Sequence, residues 1–163
     1  MTEILQLFLG VILLTAALAA YFLVFVAFFS NRITKTQRVI NQTPGRSFWV
    51  GLVNFLFFGV IVMLLFAISE NAENLVRFVL IPPAVAITAG LAVILSFGLT
   101  GMVNTVGERI FPDQSAWRKT LWGTVILAFA CALPFVGWFL LLPYTGLTGF
   151  GAVILSFFQR ETN

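Results

Sequence analysis

The sequence predicts an all-α, polytopic integral membrane protein: one N-terminal helix followed by two related transmembrane hairpins, five spans in all. Three observations point there. Of 163 residues, 60% are hydrophobic and only 9% charged, and mean hydropathy is +1.04. A soluble domain carries about 25% charged residues, so this chain has too few to cover a water-facing surface. Apolar runs of spanning length alternate with short polar segments. One line is also written twice: "PAVAITAGLAVILSF" (Pro83–Phe97) and "PYTGLTGFGAVILSF" (Pro143–Phe157) share the proline, a threonine five residues on, and their last six residues.

Residues 1–30 read as an N-terminal transmembrane helix. Ile4 to Phe29 carries no charge and would measure roughly 39 Å as a helix, against a hydrocarbon core of ~30 Å. "AALAA" (Ala16–Ala20) imitates a leader cleavage site. No Lys or Arg precedes it, however, and apolar sequence continues through "YFLVFVAFF", so a retained helix is expected. Residues 31–46 read as a basic cytoplasmic linker. Arg32, Lys35, Arg38 and Arg46 stand there without an acid, and Pro44-Gly45 breaks any helix before the next span.

Residues 47–99 read as the first transmembrane hairpin: Phe48–Ile68, the polar turn "SENAEN", and Leu75–Leu99. Proline removes a helical hydrogen bond. The pair Pro82-Pro83 therefore predicts a third span starting near Pro82, with Leu75–Ile81 lying at the interface. Residues 100–119 read as a cytoplasmic loop, with Trp117 as an interfacial anchor. Residues 120–163 read as the second transmembrane hairpin and tail. Thr120–Phe158 would reach roughly 58 Å as one helix, about twice the hydrocarbon core. It must fold back, and "PFVG" (Pro134–Gly137) is the natural break. A four-span arrangement with one long tilted final helix is the alternative that this length disfavours.

Loop charges set the orientation. Arg32, Lys35, Arg38, Arg46, Arg109, Arg118, Lys119 and Arg160 fall on one side, and Arg77 with Glu3, Glu70 and Glu73 on the other. Lys and Arg concentrate on the cytoplasmic side, which predicts the N-terminus outside and the C-terminus inside. The duplicated line then closes two hairpins that point the same way, a parallel repeat about an axis along the membrane normal. Arg46 and Gly51 open the first as Arg118 and Gly123 open the second. Lipid supplies no hydrophobic drive between helices, so close approach at small residues must hold them together. Gly90, Ala92, Gly149 and Gly151 are candidate helix-packing positions, and Asn54 a candidate cross-helix hydrogen bond. Thr88, Ser96, Thr148 and Ser156 could bond across helices or back to their own carbonyls.

Several of these marks carry a resemblance. Arg46-Ser47-Phe48 with Gly51, a polar turn followed by prolines, "VGERIF", "LPFVGW" and "GFGAVILSFF" resemble the C-terminal membrane part of bactofilin-like, polymer-forming cytoskeletal proteins of bacteria. The resemblance covers roughly Arg46 to Arg160. The β-helical bactofilin domain is absent, and Ile4–Phe29 stands in its place. What the resemblance implies is a membrane anchor or platform in a bacterial cytoplasmic (inner) membrane, with no catalytic residues to carry over.

The residues themselves offer little chemistry. There is no histidine, and Cys131 is the single cysteine, which argues against a protein-built metal or haem site and against an internal disulfide. All six carboxylates sit in loops or at ends, whereas coupled transporters and proton relays place ionisable groups inside the membrane. No phosphate loop or Ser/His/Asp set occurs. No enzyme, no cofactor and no nucleic-acid partner are expected. The basic residues Arg32, Lys35, Arg38 and Arg46 are candidate contacts for a partner or for anionic lipids at the cytoplasmic face, and Ile33, Val39 and Ile40 could let that segment lie on the membrane. The function expected is an accessory or scaffold subunit packing against other integral membrane proteins, in an assembly such as a respiratory or photosynthetic complex. The alternatives are a small channel or facilitator, lined by Asn54, Thr88, Thr124, Thr148 and Ser156, and a plain anchor for a soluble partner.

Overall fold

A computed structural model describes residues 2–71 and 73–158, and among these the chain is helical with no strand. Arg160 and Glu161 of the charge tally, and the rest of the tail, lie outside the described residues. Five α-helices run in order: α1 (Thr2–Gln42), α2 (Pro44–Asn71), α3 (Asn74–Ile110), α4 (Ala116–Ala132) and α5 (Leu142–Phe158), with a π-helical turn at Gly137–Leu141 before α5. Four helices are long and apolar enough to cross a bilayer: Phe8–Gln42, Pro44–Glu70, Asn74–Ile110 and Gly137–Phe158. α4, with 17 residues, is about 25 Å long.

The breaks follow local chemistry. Residues before proline avoid the α region, and Thr43 is the one non-helical residue between α1 and α2. Pro44 opens α2, where a missing N–H costs nothing. Leu133, before Pro134, is extended at φ −63°, ψ 126°. Phe135 follows at φ 66°, a left-handed conformation costing about 1–2 kcal/mol for an L-residue.

Three expectations are corrected. The segment 31–46 is helical apart from Thr43, because α1 continues past Phe29, where φ −126° and ψ 32° kink it. The segment 100–119 is no loop: α3 runs to Ile110, α4 starts at Ala116, and only Phe111–Ser115 connect them. The third helix does not start near Pro82 but at Asn74, with Pro82 and Pro83 inside it. Membrane helices tolerate proline where neighbours and local adjustment take up the freed carbonyls.

Packing is concentrated at one end. Val39, Ile40, Met102 and Ala152 form the hydrophobic core, with Leu155 against it. Ile33, Val103 and Phe150 are also fully buried. That end holds the C-terminus of α1, the start of α2, the end of α3, the start of α4 and the C-terminal half of α5. Burial in the most apolar window is 39% for the fifth helix but 6% for α2 and α3, so α5 is the element the others enclose. Towards the other end of α1, α2 and α3, large apolar side chains such as Phe8, Leu13, Phe57, Leu64 and Phe78 are exposed, the surface that a lipid environment requires.

Candidate functional site

Two features have the geometry of a site: a set of helix crossings without side chains between them, and a polar face at the packed end. The crossings come first because they position the face. A Cβ added at Gly51 would lie 1.9 Å from the Leu147 carbonyl oxygen and 2.9 Å from the Gly151 nitrogen, and one at Gly151 would lie 1.9 Å from the Ser47 oxygen. The crossing of α3 and α4 repeats this pattern. A Cβ at Gly123 would lie 2.1 Å from the Val103 oxygen and 3.0 Å from the Gly107 nitrogen, and one at Gly107 would lie 2.0 Å from the Lys119 oxygen. Thus α2 meets α5 as α4 meets α3, with Gly51 matching Gly123 and Gly151 matching Gly107. A third crossing puts Gly98 of α3 directly on Gly149 of α5, the added Cβ atoms reaching the opposite carbonyl carbons at 2.3 and 2.5 Å.

This equivalence is not the one that the duplicated line spells. Matching the two "AVILSF" segments would pair Leu147 and Gly151 with Ile87 and Leu91. Gly123 instead crosses α3 at Val103 and Gly107, about four turns further on. "AVILSF" ends at the described end of α5, whereas in α3 it lies more than three turns before Ile110. The signal that sequence reasoning missed is another repeat, Gly-Leu-Thr-Gly at 98–101 and 146–149, whose Gly98 and Gly149 make the third crossing.

The packing candidates divide accordingly. Gly149 and Gly151 stand at crossings; Gly90 has no atom within 4 Å of an added Cβ, and Ala92 is exposed. Asn54 donates to the Val50 carbonyl of its own helix at 2.8 Å. Thr88, Ser96, Thr124 and Ser156 also bond back, to Ala84, Ala92, Thr120 and Val153 at 2.7–2.8 Å. Thr148 differs: its hydroxyl is buried with no hydrogen-bond partner. An unsatisfied buried hydroxyl costs about 1–3 kcal/mol. Thr148→Val is therefore expected to leave the melting temperature in detergent unchanged or raise it. Thr120→Val should lower it, because the Thr120 hydroxyl donates across to Asn104 Oδ1 at 2.6 Å.

The polar face lies where α1, α3 and α4 converge. Beyond the kink, α1 is amphipathic at helical spacing: Ile33, Thr36, Val39 and Ile40 are buried, while Arg32, Lys35 and Arg38 are exposed. The expectation that Ile33, Val39 and Ile40 rest on a membrane is corrected here, because they pack into the protein's own core. Gly101 makes room for them, since a Cβ there would stand 3.0 Å from Thr36 Cγ2 and 3.3 Å from Ile40 Cδ1. Side chains then tie the helices together. Gln37 donates to Glu108, Arg109 donates to Asn41 Oδ1 at 3.2 Å, and Lys119 Nζ lies 3.9 Å from Glu108 Oε1. Arg32 sits over the Phe157 ring at 5.2 Å, and Arg46 is exposed in the first turn of α2. A groove of about 320 Å³ runs between the three helices, lined by Thr34, Gln37, Asn104, Glu108, Lys119 and Thr120 among others. Seven cations, Arg32, Lys35, Arg38, Arg46, Arg109, Arg118 and Lys119, thus share one end of the bundle. Arg77 stands near the start of α3, at the other end.

This arrangement can present positive charge and hold helices rigidly. Among the described residues, no group of three His, Cys, Asp or Glu side chains could hold a metal ion. Comparison with protein families, with curated proteins and with solved structures finds no match.

Proposed function

We propose that this chain is a non-enzymatic, multi-pass membrane subunit that packs against other integral membrane proteins, with its basic end cytoplasmic. The observation that carries the reading is the contrast between its two ends. Five helices are locked together at the basic end, while Gly10 of α1, Gly59 of α2 and Gly90 of α3 have no atom within 4 Å of an added Cβ. Glycine costs helix stability, and in membranes it is favoured where another helix approaches closely. Gly45, in the first turn of α2, is equally open; the other three, one on each long helix and all away from the basic end, fit neighbours supplied by another protein. The charge asymmetry supports an N-terminus outside and a C-terminus inside. A bacterial inner membrane and a platform role follow the resemblance of residues 46–160 to the bactofilin-associated membrane module.

Mild detergent extraction of the tagged native protein, with native sizing and mass spectrometry, tests this. The expected result is a discrete heavy species of reproducible composition, lost in Gly59→Leu or Gly90→Leu variants that still fold. Monomer or small homo-oligomer mass for the wild type overturns it. A channel is the weaker reading, because Asn54, Thr88, Thr124 and Ser156 spend their polar groups on their own helices. The exposed cations Arg32, Lys35, Arg38 and Arg46 favour one addition, an acidic partner or anionic headgroups at the cytoplasmic face. High salt should weaken that contact, since exposed charges are screened within about 10 Å at 0.1 M salt.

A further inference from the structure

We propose that the second hairpin is re-entrant: α4 and α5 enter from the basic face, turn inside the bilayer and return, and the elbow Leu133–Leu141 is a surface for the acyl chains of one leaflet. The inference goes beyond the subunit reading and stands without it. Its ground is the depth that the crossings impose. α4 runs antiparallel to α3 with Lys119 against Gly107. Counting along both helices, Ala132, the last residue of α4, comes beside Ile94. α3 continues from there back to Asn74, about 30 Å further. On the other side, α5 runs antiparallel to α2 with Gly51 between Leu147 and Gly151. Its first residue, Leu142, then comes beside Phe58, with α2 continuing to Asn71 about 20 Å beyond. Both registers place the feet of the elbow, Ala132 and Leu142, well short of the polar turn that joins α2 to α3. Carrying the α5 register on through the π-helical turn brings Gly137 beside Met63, still about 12 Å short of Asn71.

The elbow's composition agrees with that depth. The turn of the first hairpin is "SENAEN", whereas "LPFVGWFLL" (Leu133–Leu141) has no charged, hydroxyl or amide side chain. Leu133, Phe135, Trp138 and Phe139 are 56–78% exposed, a surface suited to acyl chains and unsuited to water. Irregular backbone inside a membrane must satisfy its own hydrogen bonds, and four N–H groups of this elbow do so locally. Leu133 N–H donates to the Ala130 carbonyl, Val136 to Pro134, Gly137 to Leu133 and Phe139 to Phe135, at 2.9–3.4 Å. Pro134 has no N–H to leave unpaired. Gly137 permits the tightness of the turn, since a Cβ there would lie 2.4 Å from the Cys131 carbonyl oxygen.

The test uses the full chain in sealed vesicles of known sidedness, in a Cys131→Ser background, with a membrane-impermeant maleimide as probe. Glu70→Cys should label from one side only and Asp113→Cys from the opposite side only. Phe135→Cys should label from neither side, and should react once detergent dissolves the membrane. Labelling of Phe135→Cys from the same side as Glu70→Cys, at a comparable rate, overturns the proposal. If that thiol stays unreactive in detergent, depth is read from Trp138 fluorescence after Trp49, Trp117 and Trp122 are changed to Phe. Lipids brominated deep in the acyl chain should quench Trp138 most, and strongest quenching by bromines near the headgroup overturns it.

Discussion

Alanine at Gly151 or Gly51 is expected to unfold this protein in mild detergent, while alanine at Gly90 should be tolerated or slightly stabilising. The added methyl group at Gly151 would stand 1.9 Å from the Ser47 oxygen and 2.5 Å from the Gly51 nitrogen. Both are backbone atoms, so no rotamer change can relieve the clash. The helices must separate, and α5 loses its closest neighbour. Overpacking costs typically 1–3 kcal/mol, and a clash between two backbones belongs at about 3 kcal/mol. The same reasoning applies to Gly123 and Gly107, where the contacts are near copies. At Gly90 the methyl group meets nothing, and replacing helical glycine with alanine gains about 1 kcal/mol. Thermal denaturation of the purified variants, followed by size-exclusion chromatography, measures the contrast. Equal melting temperatures for the Gly151 and Gly90 variants would remove the crossings from any central role.

Trimming Ile33 or Ile40 to alanine should release the C-terminal third of α1 from the bundle. Both are buried, at 1% and 2% exposure, and truncating a buried isoleucine costs about 2–5 kcal/mol. Two side-chain ties, Gln37 with Glu108 and Asn41 with Arg109, are exposed and cannot compensate, since contacts of that kind contribute at most about 1 kcal/mol each. The readout is limited trypsin digestion in detergent. Arg32, Lys35 and Arg38 lie on the exposed face of a packed helix and should resist cleavage in the wild type. In Ile33→Ala and Ile40→Ala they should be cut at least tenfold faster. Rapid cleavage of the wild-type segment would mean that the helix is not docked.

How far the sequence could be read depended on which residues carry constraint. Pro44 and Pro134 marked true interruptions because their chemistry is local. Gly149 and Gly151 stood out for a sound reason, since only glycine lets backbones touch. The register between helices could not be read the same way. "AVILSF" occurs twice, but Ala92, Val93 and Phe157 are exposed, where one apolar residue serves as well as another. The equivalence that matters pairs Gly51 with Gly123, which the shared spacing from Arg46 and Arg118 marks, but also Gly151 with Gly107, which are not spelled alike in their surroundings. The basic segment misled for a related reason. Its four cations carry the topology signal, and they drew attention from Ile33, Thr36 and Ile40, whose spacing of three and four residues is that of a buried helical stripe. Asn54 was misjudged because an asparagine in a helix can satisfy itself on the preceding turn, which no sequence pattern distinguishes from a bond to a neighbour.

The short reach of α4 and α5 has a consequence for the surrounding lipid. Near the cations the cross-section holds five helices; near the polar turn between α2 and α3 it holds only three. With the second hairpin re-entrant as proposed, a body that tapers this way displaces more lipid from one monolayer than from the other. Chains gathered side by side, each with its wide end facing the same way, would bend the sheet they sit in, towards the compartment that the narrow ends face.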